Sequence, residues 1–476
     1  MGAKLGKLFF RHSQVKKQKV EGGIQMKAII LAAGHGKRMK SKTHKVLHTI
    51  AGKPMLHHVI DTCLEVGIND ITVVVGHQGD TVREATPQSV HFVTQSEQLG
   101  TGHAVMCAKE SIAPDDTVLV LYGDTPLLTS TLLSALSDFQ QKNQAHAVVV
   151  STTVSDPQGY GRVIIERDNI FSAIVEQRDL SPEQEAIARI NTGTYIFTGR
   201  ELLYGLEHIG NDNHQNEYYL TDVPAVLQKA GHHCLVYHDT DYQQFLGINS
   251  QAQLAEAAVV MKERILHRHL ENGVVMIDPS TVYIDWNVSI EPGATLLPGV
   301  MLEGNCAIAE GAIIGPYSRL INTTIGVDTM VQNSVLESTK IGDYSQVGPF
   351  AYLRPGTVVG NHCRVGDFVE LKNATLGDNS KASHLAYVGD TTVGAGVNIG
   401  CGVVTVNYDG VNKHRTIIED NAFVGSNVNL IAPVAVRAGA FVAAGSTITD
   451  EVPSEAFAIA RQRQTNKEGR APKRKT

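Results

Sequence analysis

A Rossmann-like, mainly parallel α/β sheet followed by a left-handed parallel β-helix is the fold predicted for this 476-residue chain. Three observations predict it: buried strand-like runs alternating with helical ones from Lys27 onward, a six-residue aliphatic beat over residues 290–449, and one long helical stretch, 252–271, between them. The chain therefore divides into an N-terminal extension (1–25), a sheet domain (26–251), a linker helix (252–272), a hexad coil (273–460) and a basic tail (461–476).

The sheet comes first. Residues 28–33 read as a buried strand that runs into Gly34-His35-Gly36-Lys37-Arg38-Met39. Residues 54–66 have helical spacing, with Leu56, Val59, Ile60, Cys63 and Leu64 on one face. Further strands follow at 71–75 and 90–93, then a helix at 101–112. A strand at 117–121 delivers Tyr122-Gly123-Asp124 at its C-terminal end. Continuous apolar strands interleaved with helices mean a parallel sheet covered on both faces. Such sheets bind ligands at the carboxyl ends of their strands, where both the glycine-rich turn and Asp124 fall. In the linker, Leu254, Ala258, Met261, Ile265 and Leu266 recur at helical spacing.

The coil is read from its beat. Aliphatic residues stand at Ile290, Leu296, Leu302, Ile308, Ile314 and Leu320, then from Ile341 to Leu371 and from Ile418 to Ile448 at the same interval. The following residue is often Gly, and the fifth is usually small, as at Ala294, Cys306, Ser318, Ser345 and Ala440. Neither a 3.6-residue nor a two-residue period sustains a six; each hexad is one flat face and a corner of a stacked coil. The beat slips around Ser383-His384, and 405–410 loops out. Loops on a rigid scaffold are where function concentrates.

Composition narrows the function. At 42% hydrophobic and 19% charged residues the chain is an ordinary soluble protein. No apolar run approaches the ~20 residues a membrane span needs, and residues 1–25 lack a signal-peptide pattern, so a cytoplasmic protein with no membrane partner is expected. Six scattered cysteines without CxxC spacing read as free thiols. Residues 1–25 carry six Lys/Arg and one acid, and 461–476 seven and one; the remaining body, 28 basic against 46 acidic, sits near −18 and disfavours nucleic acid.

A glycine-rich turn after a first strand can bring backbone N–H groups to phosphate. Met39 stands where a dinucleotide-binding turn needs its third glycine, and Gly76-His77 where it wants an acid, so a nicotinamide enzyme is disfavoured. The turn, His44-Lys45-Val46-Leu47, the run Gln95-Ser96-Glu97-Gln98-Leu99-Gly100-Thr101-Gly102 and Tyr122-Gly123-Asp124 together resemble the sugar-nucleotide pyrophosphorylase signature. Joined to the hexad coil, residues 26–469 resemble the bifunctional bacterial N-acetylglucosamine-1-phosphate uridyltransferase/glucosamine-1-phosphate acetyltransferases. The resemblance implies UTP, acetyl-CoA, glucosamine-1-phosphate and N-acetylglucosamine-1-phosphate as substrates, Mg²⁺ as cofactor and a homotrimer built through the coil.

It also implies roles. Arg38 and Lys45 neutralise phosphate charge, while Asp124 and Asn249 hold Mg²⁺. Leu31, Ala32, Ala33, Gly34, Gln95, Gly100, Thr101, Tyr122 and Gly123 frame the nucleotide. Gly161, Glu176 and Asn191 meet the sugar. Lys37 departs from the Thr usual in the family. In the coil, His384 is the candidate base for the attacking amine, imidazole titrating near neutrality, with Glu370 orienting it. Arg354, Lys372, Tyr387, Asn398 and Lys413 hold glucosamine-1-phosphate. Cys401, Asn407, Tyr408, Ser426, Ala444 and Arg461 fall where the family binds acetyl-CoA. Cys401 replaces the common Ala and admits an acetyl-cysteine route, although direct attack by the amine is preferred. The rival reading is a single-activity pyrophosphorylase whose coil is structural or regulatory.

Overall fold

The computed structural model describes residues 26–34, 36–76, 78–86, 90–213, 215–468 and 470. The expected N-terminal extension, the end of the tail, His35, His77 and the side chain of Lys37 lie outside them. Two compact units result: Pro54–Leu254 with the chain before Thr49, and Ala255 onward with Thr49–Lys53.

The first unit is built on a nine-stranded sheet. Its strands are β1 (Met26–Ala32), β2 (Asp70–Val75), β3 (His91–Thr94), β4 (Thr117–Tyr122), β5 (Ala147–Thr153), β6 (Arg162–Ile165), β7 (Phe171–Val175), β8 (Arg189–Thr198) and β9 (Cys234–His238). Along the sheet the order is β9-β5-β8-β4-β1-β2-β3, with β6 and β7 appended at β8. β1 pairs in parallel with β2 and β4, and β9 with β5, whereas β8 runs antiparallel between β4 and β5. Both faces are covered. Ala28, Ile30, Val73 and Leu121 pack into one apolar cluster, and Ile29, Val74, Val120 and Phe197 into another. Strands buried on both sides carry no polar alternation, which is why β1, β2 and β4 are unbroken aliphatic runs. The expected helix at 101–112 is shorter, Thr101–Cys107, and ends in a 3-10 turn, Lys109–Ser111.

A 21-residue helix, Gln251–Glu271, leads into the second unit. Its buried face is Ala257, Val260, Met261, Ile265, Leu266 and His269; Leu254 and Ala258, expected on that face, are only partly covered. The coil then stacks parallel rungs. Ile290 pairs with Ile308, Leu296 with Ile314 and Leu302 with Leu320, so three hexads make one turn. The aliphatic beat is buried from Ile290 to Ile448, as are the small residues Ala294, Cys306, Ser318, Ser345 and Ala440. Each rung is held by its neighbours above and below, so stability accumulates along the stack.

The slip has a definite shape. β10 (Arg364–Lys372) and β11 (Lys381–Gly389) pair from Arg364↔Lys381 to Lys372↔Gly389 and run through a corner that elsewhere interrupts the strands. That turn falls a single residue short of three hexads. Above it the next turn is the longer one, Thr391 pairing with Thr416. The insertion begins at Asn407, because Thr405 and Val406 remain in a strand and Thr405 is buried.

Candidate functional site

At the carboxyl ends of β1 and β4, the Lys45 ammonium donates to Asp124 Oδ2 and, at 2.6 Å, to Asn249 Oδ1. The knot is mostly covered: the Lys45 and Asp124 side chains are 11% and 17% exposed. Backbone groups fix the two acceptors. Ile248 N–H donates to Asp124 O, Asn249 N–H to Gln253 Oε1, and Gly123 N–H to Leu31 O. Gly36 lies against Lys45 at φ +58, and a Cβ there would stand 2.7 Å from Lys45 Cβ. That close approach and positive φ require glycine in the turn.

Around the knot a cavity of about 320 Å³ is lined by Leu31, Ala32, Ala33, Gly34, Lys45, Gln95, Gly100, Thr101, Tyr122, Asp124 and Asn249. A second, of about 350 Å³, shares Thr101, Tyr122, Asp124 and Asn249 and adds Gly161, Glu176 and Asn191. Gly123 and Arg38 line neither, and Arg38 is exposed on the 3-10 turn Lys37–Met39. Gln98 and Glu217 line the first cavity without having been singled out. Gln98 donates to Ala33 O at 2.9 Å and lies inside the quoted glutamine-rich run, the signal that could have found it. Burial raises the Glu176 carboxyl above its usual range, Thr221 opposing and Asp222 and Asp179 adding to the shift. One carboxylate and one amide oxygen converging on a single cation are a hard-donor set of the kind magnesium takes, with few protein ligands.

In the coil, two groups of side chains meet along β10 and β11. Arg354 pairs with Glu370 at 3.0 Å, and Glu370 stands beside Tyr387 in register. Lys372 lies 4.0 Å from Asp390, which accepts from Asn373 at 2.7 Å and Asn407 at 2.5 Å. Burial opposes ionisation of Asp390, but these bonds, with Lys372 and Lys413, hold its carboxyl below the usual range. Lys372 lowers the pKa of Lys413, two ammonium groups sharing one place. Such a pair calls for an anion.

The other group is a row at one corner. Asp367 and His384 are register partners, and His384 Nδ1 lies 2.7 Å from Asp367 Oδ1. Gly402 N–H donates to Leu385 O, Asn427 N–H to Cys401 O and Gly445 N–H to Ser426 O. By the register of the flanking strands, His384, Cys401, Ser426 and Ala444 take corresponding positions on four successive coils, with Arg461 near Gly445 above them. Glu370, expected to orient His384, bonds Arg354 instead: the register sets it under Tyr387, three residues away, and sets Asp367 under His384. A carboxylate one coil before the histidine was the available signal, hidden because that coil is not a whole number of hexads. Asn398 lies around the corner, on the face of Lys381 and Phe423. Tyr408 is exposed on the inserted loop, which Asp409 ties through Val411 N–H, Asn412 N–H and His414.

Sheet and coil together define a nucleotidyltransferase joined to a hexapeptide-repeat transferase. Residues 28–257 match the MobA-like NTP transferase domain, and 338–373 the bacterial transferase hexapeptide repeat. The chain is 48% identical over 446 residues to the bifunctional protein GlmU of Alkaliphilus metalliredigens, covering 94% of this chain and 98% of that one. It is 47% identical to those of Clostridioides difficile (94% and 97% covered) and Brevibacillus brevis (92% and 96%). The chain belongs to the family of bifunctional GlmU proteins. Among the described residues no helix is long and apolar enough to cross a membrane.

Proposed function

We propose that the protein makes UDP-N-acetylglucosamine in two reactions, one on each unit. On the coil, the amine of glucosamine-1-phosphate attacks the thioester carbonyl of acetyl-CoA. His384 takes the amine proton, and CoA leaves as the thiol once protonated. Arg354, Lys372 and Lys413 clamp the sugar phosphate, with Tyr387 beside them. Cys401, Asn407, Tyr408, Ser426, Ala444 and Arg461 receive acetyl-CoA along the corner row and its inserted loop. Asn398, around the corner, serves a site shared with a neighbouring chain of a homotrimer.

In the sheet unit, a phosphate oxygen of N-acetylglucosamine-1-phosphate attacks the α-phosphorus of UTP and pyrophosphate leaves. Lys45 and Arg38 neutralise the phosphates. Ala32, Ala33, Gln95, Gly100 and Thr101, with Leu31, Gly34, Tyr122 and Gly123, frame the nucleotide, and Gly161, Glu176 and Asn191 the sugar. Asp124 and Asn249 would hold Mg²⁺, which supplies charge neutralisation at the reacting phosphates. The product feeds cell-wall precursor synthesis, and the enzyme works in the cytoplasm.

The observation that carries this reading is one chain holding both a Lys45–Asp124–Asn249 knot and an exposed His384–Asp367 pair beside a lysine pair. The test follows CoA and pyrophosphate separately in wild type, Asp124→Ala and His384→Ala, each supplied with the intermediate it cannot make. Each substitution should silence one signal and spare the other. If His384→Ala leaves CoA release unchanged, the coil is structural and the single-activity reading wins.

A further inference from the structure

The long strands β10 and β11 do something no other pair in the coil does. Most neighbouring rungs pair only two or three residues on a face before the corner breaks the ladder. Here pairing resumes on both sides of the corner, from Arg364↔Lys381 to Lys372↔Gly389, with Asp367↔His384 at the turn itself. The residue after each, Phe368 and Leu385, takes positive φ (55° and 31°), so both strands turn in the same way. The side chains ahead of them stay one above the other, and the His384 ring meets Asp367 at 2.7 Å.

We infer that Asp367 is a positioning residue for acetyl transfer, holding the His384 imidazole with its proton on Nδ1 and its lone pair on Nε2. This rests on the reading of His384 as the base. A carboxylate can only accept, so the ring nitrogen facing it must be the donor, which leaves Nε2 free to take a proton from the amine. Asp367 is held in its ionised form, its carboxyl lowered by the bond from His384, with Arg364 on the same strand adding to it. The other carboxylate on β10, Glu370, is committed to Arg354. The pair is well exposed, 59% and 40%, so it adds little to stability. Its use is orientation: an unpaired ring would sample both tautomers and rotate about χ2, and only one arrangement presents a base.

Asp367→Ala and Asp367→Asn in the full-length chain test this, with His384→Ala alongside. In Asp367→Ala, kcat for acetyl transfer should fall roughly 10–100-fold, the size of effect seen when a ligand-orienting partner is removed. KM for glucosamine-1-phosphate and acetyl-CoA should stay within about twofold, since neither substrate touches Asp367 on this reading. Asp367→Asn, whose amide oxygen accepts the same N–H, should recover most of the loss. ¹⁵N-histidine NMR should report the Nδ1–H tautomer of His384 in wild type and Asp367→Asn, and a mixture in Asp367→Ala. Unchanged uridyl transfer and circular dichroism establish that each variant is folded. The inference is overturned if Asp367→Ala keeps kcat within about twofold, or if the tautomer signal is the same in all three proteins. Should His384→Ala retain acetyl transfer, the identity of the base fails instead, a result readily told apart from the other two.

Discussion

Gly366→Ala should disable acetyl transfer without removing a single functional group. Gly366 is buried on β10 immediately before Asp367, and Ser383 precedes His384 on β11. A Cβ at Gly366 would stand 1.8 Å from Ser383 O and 2.6 Å from Ser383 C, both backbone atoms. Restoring even a tight contact of 3.4 Å requires the strands to part by about 1.6 Å, a third of the usual ~4.8 Å strand spacing. Most of that opening falls on the neighbouring Asp367–His384 bond, taking it from 2.7 Å to beyond hydrogen-bonding range. Overpacking of this kind costs about 1–3 kcal/mol, which lowers Tm by roughly 2–12 °C for a unit of this size. A 1 Å misplacement of a catalytic group can cost about 10²-fold in rate. Acetyl transfer should therefore fall at least ~10-fold, while pyrophosphate release stays within about twofold because the sheet unit contains neither residue. Stopped assays for CoA and pyrophosphate on one preparation, with a thermal melt, make the comparison. A Gly366→Ala protein with wild-type CoA release would refute the argument that the register at this corner matters.

Two further outcomes follow from the sites. Glu176 titrates above the usual 4.5 because of burial, so the native state keeps a proton that the unfolded chain has lost. Stability therefore falls as pH rises from 4.5 through the raised value. Glu176→Gln should flatten that fall in thermal melts and raise the neutral-pH Tm, with Asp222, also raised by burial, leaving a residual slope. Cys401→Ala should leave acetyl-transfer kcat within about twofold and the kinetics sequential, since direct attack by the amine needs no thiol. A ping-pong pattern lost in Cys401→Ala would instead make Cys401 an acyl carrier.

Much of this was legible in the sequence because the relevant periodicities are local. β1, β2 and β4 announce themselves as apolar runs, and the hexads place each buried aliphatic from Ile290 to Ile448. Strand-end position pointed to the glycine-rich turn and Asp124, where a parallel sheet exposes its binding edge, while the other cavity residues, Asn249 among them, were named through the family resemblance. What stayed hidden depends on distant pairings. Nothing near Thr49–Lys53 says that it groups with the coil, where Ala51 O accepts from the N–H of Trp286, far along the chain. The antiparallel insertion of β8 between β4 and β5 is equally non-local.

Asp367 was missed for a different reason, one that bears on how a β-helix carries chemistry. A repeat is stable because every coil resembles its neighbours, so a side chain at a regular corner is equivalent to many others and none is special. Chemistry needs a break in that equivalence, and local rules are expected to fail at functional sites. Here the break is a corner through which two strands stay paired, followed by a coil stretched well past three hexads. Pairing carried through that corner brings Asp367 to His384. The lengthening supplies the loop bearing Asn407, Tyr408 and Lys413, which reaches back to Asp390 and Lys372. Counting hexads finds the lengthened coil but not the dyad, because the partner of His384 follows from the register of two strands that stay paired through a corner.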